Sequence, residues 1–354
     1  MDWIDVHHHA YHGRLADALA ARGVTHMAPG VPVPRWEVGD TFRVMDDCGL
    51  DAAVLSVLVP DAALRLPDAA DLVRRTNEWT AELVRAHPHR LGLLATLPLP
   101  DLGTSLAEVG HAFDVLDADG VVLPASLADG ALLGDPRLDP LLAELDRRGA
   151  VAFVHPNPGY RCSCTGAPDS AAAVPPPLVD FVMDTTRAVA NLLFRGALRR
   201  FPGIRFVLAH GGGTIPYLAG RLELAKTWVL APQEGQTQQG QTQKGQPQNG
   251  QAQGASAQDE SAQDGSAQDA QVRADSVYAE LGRLYYETAQ ASSRGALACV
   301  DTVAEPGHVL FGTDFPFMTA PVVAATRREV AAHRADIGGA GLALFPRLRT
   351  GTRR

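Results

Sequence analysis

The chain has 354 residues, 46% hydrophobic and 20% charged, enough apolar side chain to bury a sizeable core and too much for wholesale disorder. With 31 Lys+Arg against 40 Asp+Glu the formal charge is −9, the reverse of the basic footprint of a nucleic-acid binder. No apolar run approaches the roughly 18 residues of a membrane span, no signal-peptide pattern opens the chain, and four cysteines do not make a disulfide scaffold, so a cytoplasmic protein is expected.

Short β-branched runs alternate with helical stretches. In chain order the strand runs are Trp3–Val6, Ala52–Val57, Leu91–Leu97, Gly120–Leu123, Val151–His155, Arg205–His210, Leu284–Thr288 and Val309–Thr313. Helical stretches lie between them at Asp40–Cys48, Ala69–Ala86, Leu102–Leu116, Pro136–Arg148, Leu178–Arg200, Ile215–Leu230 and Arg294–Val303, with Asp135 as an N-cap before Pro136. Eight strands joined by helical crossovers predict an α/β fold, a (β/α)8 TIM barrel forming one domain over residues 1–354. An open doubly wound sheet fits less well, because no Gly-x-Gly-x-x-Gly follows the first strand. Between the sixth and seventh strand units the composition turns to Gln, Gly, Ser, Ala and Asp in five-residue repeats. Such sequence cannot offset the cost of ordering its backbone, so residues 233–271 read as a disordered insert.

A barrel places its chemistry at the C-terminal ends of its strands. The first strand runs into Asp5-Val6-His7-His8-His9, the fifth into His155-Pro156-Asn157, the sixth into His210-Gly211-Gly212-Gly213, and the eighth into Thr313-Asp314-Phe315-Pro316. His7 and His9 alternate, so both project to one side of an extended strand while His8 projects to the other. Imidazoles and a carboxylate converging from four strand ends make a nitrogen/oxygen site suited to Zn²⁺, with Mn²⁺, Fe²⁺ or Co²⁺ as alternatives. Lys226 and Lys244 are the only lysines, and Lys244 lies in the low-complexity run, which leaves Schiff-base or carbamylated-lysine chemistry to Lys226 alone. Among the other histidines, His12, His87, His89, His111, His308 and His333 read as solvated, and Cys162-x-Cys164 lacks a second cysteine pair to complete a metal site. Trp36, Tyr160, Arg161 and Phe317 fall on loops expected to face the pocket, and Arg35 or Arg161 is a candidate for binding an acidic substrate.

The Asp-x-His-x-His start, Val-His-Pro, Ala-His-Gly-Gly-Gly and Phe-Gly-Thr-Asp-Phe-Pro-Phe resemble the amidohydrolase superfamily, and within it the branch of metal-dependent, non-oxidative decarboxylases that act on aminocarboxymuconate semialdehyde, resorcylates and methylsalicylate. The resemblance runs from about Trp3 to about Met318 around the Gln-rich insert. It implies one divalent metal on His7, His9, His155 and Asp314, and His210 as the acid/base residue beside it, with His210 or Asp314 as proton donor. The fourth strand, Gly120-Val121-Val122-Leu123-Pro124, offers no lysine to bridge a second metal. Muconate-semialdehyde enzymes carry a substrate-carboxylate arginine where this chain has Thr41, and Arg43 lies roughly 200° further round a helix, so a salicylate-like aromatic acid is favoured. The implied reaction is a carbon–carbon lyase step, loss of CO₂ from a small aromatic or unsaturated carboxylic acid. The alternative is hydrolysis of a lactone, ester or amide by the same groups. Relatives of this kind are often dimers, which implies a homodimer here.

Overall fold

The computed structural model describes residues 3–28, 30–157, 176–229, 276–334 and 337–349. Continuous apolar runs are poorly suited to a solvated sheet face, and here they become strands buried on both sides. In chain order these are β1 (Ile4–His9), β2 (His26–Ala28), β3 (Val31–Pro32), β4 (Ala52–Ser56), β5 (Leu91–Thr96), β6 (Gly120–Pro124), β7 (Val151–His155), β8 (Arg205–Leu208), β9 (Tyr285–Glu287) and β10 (Val309–Leu310). All but β2 and β3 form one 8-stranded parallel sheet in the order β1-β4-β5-β6-β7-β8-β9-β10. The two ends of that order meet. Val6 N–H donates to the Phe311 carbonyl at 2.9 Å, Asp314 N–H to His7 at 2.9 Å, and His9 N–H to Phe315 at 2.8 Å. The sheet is therefore a closed barrel, as the alternation of elements predicts. β2 and β3 pair antiparallel as a hairpin between β1 and β4; strands of three and two residues carry too little periodicity to be read from sequence.

Helices follow the strands as crossovers. Ala69–Ala86 matches its predicted span, Leu102–Asp114 and Arg294–Asp301 each end two residues early, and Ile215–Val229 runs to the last described residue of its segment. Asp135 caps as expected, its carboxylate accepting from Arg137 N–H at 2.9 Å, although the first turn there is a 3₁₀ turn that precedes the helix Asp139–Arg147. The predicted helix Leu178–Arg200 is two helices, Pro176–Phe194 and Ala197–Arg200, because Gly196 adopts a left-handed φ of 67° that stops the first. His12 is buried rather than solvated, since its ring accepts from Leu15 N–H and caps the helix Gly13–Ala20. His308 is half-buried and stacks on Tyr285 with ring centroids 4.1 Å apart. Phe153, Phe206, Tyr286 and Phe311 are among the largest fully buried side chains of the core. Among the described residues no helix is long and apolar enough to cross a membrane. The insert expected at 233–271, Tyr160, Arg161 and the Cys162-x-Cys164 pair lie outside the described residues.

Candidate metal centre

β1 carries a bulge. Asp5 pairs with Ala53 but His8 with Leu55, so β1 holds one residue more than its partner over this stretch. On an unbroken strand residues three apart face opposite sides; the bulge brings Asp5 and His8 to the same one. His8 Nδ1 donates to Asp5 Oδ2 at 2.8 Å, and its Nε2 accepts from the Thr41 hydroxyl at 2.8 Å. Asp5 also accepts from the backbone N–H and the hydroxyl of Thr313, at 3.0 and 2.6 Å, which ties the first strand to the end of the last. His7 and His9 point the other way, into the barrel, with their Nε2 atoms 3.0 Å apart.

The hydrogen bonds behind these rings fix their protons. His7 Nδ1 lies 2.9 Å from Glu287 Oε1, and His155 Nδ1 lies 2.7 Å from the Pro156 carbonyl. His9 Nδ1 lies 2.9 Å from Ser56 Oγ, whose own hydrogen goes to the His8 carbonyl. Each acceptor holds the Nδ1 proton, so every Nε2 presents a bare lone pair. Burial pushes His7 well below its ordinary pKa against the pull of Asp314, and pushes His155 down together with the neighbouring imidazoles of His7, His9 and His210. Both rings are neutral. Asp314 Oδ1 completes the group, 3.4 Å from His7 Nε2 and 3.2 Å from His9 Nε2. Burial alone would raise this carboxyl, but His7, His210 and His9 outweigh it and hold Asp314 well below the usual carboxylate range.

One ligand atom from each of His7, His9, His155 and Asp314 lies within 4.8 Å of the other three. Two nitrogen lone pairs at 3.0 Å repel unless a cation sits between them. The 3.0–3.4 Å spacings also match those spanned by metal–ligand arms of about 2.0–2.1 Å. The donor set therefore fits a divalent cation.

His210 follows β8, its Nε2 3.8 Å from Asp314 Oδ2, and its Nδ1 has no hydrogen-bond partner among the described residues. Burial depresses its pKa, but the carboxylates of Asp314 and Glu287 outweigh that and raise it. Both His210 (φ 54°) and Asp314 (φ 61°) hold left-handed backbone, a conformation costly outside glycine and concentrated at functional sites. Gly213, at φ 67°, lets the turn after His210 approach the helix Pro176–Phe194 so closely that a Cβ would stand 2.5 Å from the Val182 carbonyl. That helix also carries Asp184, fully buried, whose Oδ2 accepts from Asn157 N–H at 2.8 Å and from the Ser126 hydroxyl at 3.1 Å. Ser126, just after β6, and Asn157, two residues beyond His155, are thereby tied to that helix.

A cavity of about 230 Å³ opens onto these groups. His155, His210, Asp314 and Gln290 form its polar end, and Met27, Val31, Leu58, Phe181, Phe317 and Met318 are among its apolar walls. Among the described lining residues there is no lysine or arginine. Phe317 is in the wall, its ring 5.5 Å from that of His9. Trp36 is not: it is buried behind His8, its indole N–H donating to Thr41 Oγ1 at 2.9 Å, which corrects its expected place in the pocket. Arg35 is exposed and Arg43 pairs with Asp40 at 2.9 Å, while Lys226 pairs with Glu280 at 2.8 Å. Sequence reasoning missed Glu287, Ser56 and Gln290. The signal for Glu287 was a lone acid in the apolar strand Leu284–Thr288; Gln290, which donates to Asp314 Oδ2 at 2.6 Å, gave none.

The family model described as amidohydrolase matches residues 4–239. The chain is 32% identical to a 6-methylsalicylic acid decarboxylase of Penicillium expansum, over 98% of this chain and 97% of that one. It is 30% identical to a 6-methylsalicylic acid decarboxylase of Aspergillus aculeatus, over 98% and 96%. Its fold is similar to that of a dihydroxybenzoic acid decarboxylase from a Polaromonas species, solved with manganese and the inhibitor 2-nitroresorcinol, at a TM-score of 0.70 and 18% identity over 99% and 98% of the two chains. A barrel with this strand-end histidine and aspartate set, matched by the family model over most of its length, belongs to the amidohydrolase family.

Proposed function

We propose that the protein is a metal-dependent, non-oxidative decarboxylase of a small, salicylate-like aromatic acid, using one divalent ion on His7, His9, His155 and Asp314, with Zn²⁺ favoured over Mn²⁺ by the nitrogen-rich donor set. The observation that carries the reading is the conjunction of a cation-demanding donor cluster with an otherwise apolar cavity. A divalent ion held by His7, His9, His155 and Asp314 would supply positive charge that favours binding of an anionic aromatic acid beside His210. The relatives named above point to the same substrate class.

Met27, Val31, Phe181 and Phe317 pack the aromatic ring and exclude water around it. His210 Nε2 then delivers a proton to the ring carbon that bears the carboxylate. The bond to the carboxylate carbon breaks, its electron pair returns to the ring, and CO₂ leaves; His210 regains its proton from solvent. Asp314 stays ionised and stabilises the His210 cation, so His210 rather than Asp314 is the proton donor. If water attacks first, on a lactone, ester or amide, His210 takes its proton, which is the hydrolase reading.

The test is metal-loaded protein incubated with 6-methylsalicylate, 2,6-dihydroxybenzoate and aromatic lactones. Release of CO₂ with the decarboxylated ring as product is expected. Hydrolysis of the lactones without CO₂ release from any acid would establish the hydrolase reading instead. The homodimer implied by the family resemblance is part of the same proposal, and light scattering reads it directly.

A further inference from the structure

Glu287 ends β9 with 1% of its surface exposed, and it is a carboxylate rather than an amide or an apolar side chain. Burying a carboxylate is costly unless several donors surround it. Here one oxygen, Oε1, accepts both from His7 Nδ1 at 2.9 Å and from the backbone N–H of His210 at 2.5 Å. The other, Oε2, accepts from Ala289 N–H at 2.6 Å. The segment that follows β10 makes room for it, since a Cβ on Gly312 would overlap the Glu287 carboxylate.

We propose that Glu287 is a positioning residue that sets the His7 imidazole and the His210 backbone from a single oxygen atom. On the His7 side, a carboxylate on Nδ1–H makes Nε2 a stronger donor and holds the ring in one orientation. On the His210 side, its charge-assisted bond holds the amide of a residue whose φ of 54° is unfavourable for a side chain with a Cβ. Glu287 thereby links three strand ends, β1, β8 and β9, and places the cation-binding group and the proton donor relative to one another. A residue needed for folding alone would affect melting; a positioning residue also affects ion affinity and the ligand field.

This assignment rests on the metal reading above, and its test begins with the unsubstituted chain. Apo wild type and Glu287→Gln, both full length, are titrated with Zn²⁺ against a chromophoric chelator, and their Co²⁺-loaded visible spectra are compared. The expected result is a Zn²⁺ dissociation constant raised about 10–100-fold in the variant, with shifted Co²⁺ bands. At saturating Zn²⁺, kcat is expected to fall more than KM changes. A folded variant with wild-type Zn²⁺ affinity and an unchanged Co²⁺ spectrum overturns the assignment. Should Glu287→Gln fail to fold, ¹⁵N-histidine NMR of the Zn²⁺-loaded wild type decides. A His7 Nδ1–H proton shifted downfield supports the carboxylate bond, and a His7 ring without an Nδ1 proton overturns it. A wild-type chain that binds no divalent ion overturns the metal reading and this assignment with it; equal binding and identical Co²⁺ spectra in wild type and variant overturn only the assignment.

Discussion

Replacing Asp184 by asparagine is expected to change the pH dependence of stability in a defined direction. Burial pushes the Asp184 carboxyl up to about 6, against the hydrogen bonds from Asn157 N–H and the Ser126 hydroxyl and the nearby Arg187. In the unfolded chain the same group titrates near 3.8. Below about pH 4 Asp184 is protonated in both states and costs nothing; above about pH 6 it is ionised in both, and the folded state bears the full penalty. A separation of about two pH units corresponds to roughly 3 kcal/mol. The wild type should therefore lose about 3 kcal/mol relative to Asp184→Asn as pH rises from about 4 to about 7, while groups common to both chains cancel in the difference. Asparagine keeps an oxygen where Oδ2 accepts its two hydrogen bonds, so the comparison tests the charge more than the shape. Urea unfolding of both apo proteins across that pH range measures it. A stability difference that stays flat, or in which the wild type gains as pH rises, would refute the reasoning.

Further outcomes follow from the same structure. His210→Ala should lower turnover by about 10²–10⁴-fold and leave the bound ion in place; loss of the ion by metal analysis would move His210 into the ligand set. Chelation should lower Tm and added Zn²⁺ restore it, with about 2.7 kcal/mol of stabilisation at an ion concentration 100 times Kd; a melt indifferent to the ion contradicts the site. Gly312→Ala drives a Cβ into Glu287 and should cost about 1–3 kcal/mol in chemical unfolding; a neutral substitution would show that the carboxylate can move aside. If the whole chain is one barrel domain and 233–271 an insert in it, deleting those residues should leave activity and Tm nearly unchanged, and a large loss of either speaks against that organisation.

The barrel was legible because its strands are uninterrupted apolar runs, such as Ala52–Ser56 and Val151–His155, separated by helices long enough to show their period. His7, His9, His155, His210 and Asp314 were legible because polar groups at the ends of such runs have few structural reasons to be there. What the sequence hid depends on geometry without period. The β1 bulge decides that His8 faces Asp5 and Thr41, and Trp36 follows Thr41 into the core; alternation alone contains neither fact. The cavity wall from Met27 and Val31 comes from a hairpin too short to announce itself. Gln290, which bonds Asp314, sits on backbone with a left-handed φ of 55°, which no residue pattern encodes.

The seam between β1 and the segment that follows β10 has a consequence for assembly. Two members of the donor set come from the first ten residues and one lies at position 314, so they become neighbours only when the opening and closing strands zip together. A growing chain exposes His7 and His9 some three hundred residues before Asp314 is made. A cation held on His7, His9 and Asp314 would act as a clasp across the join.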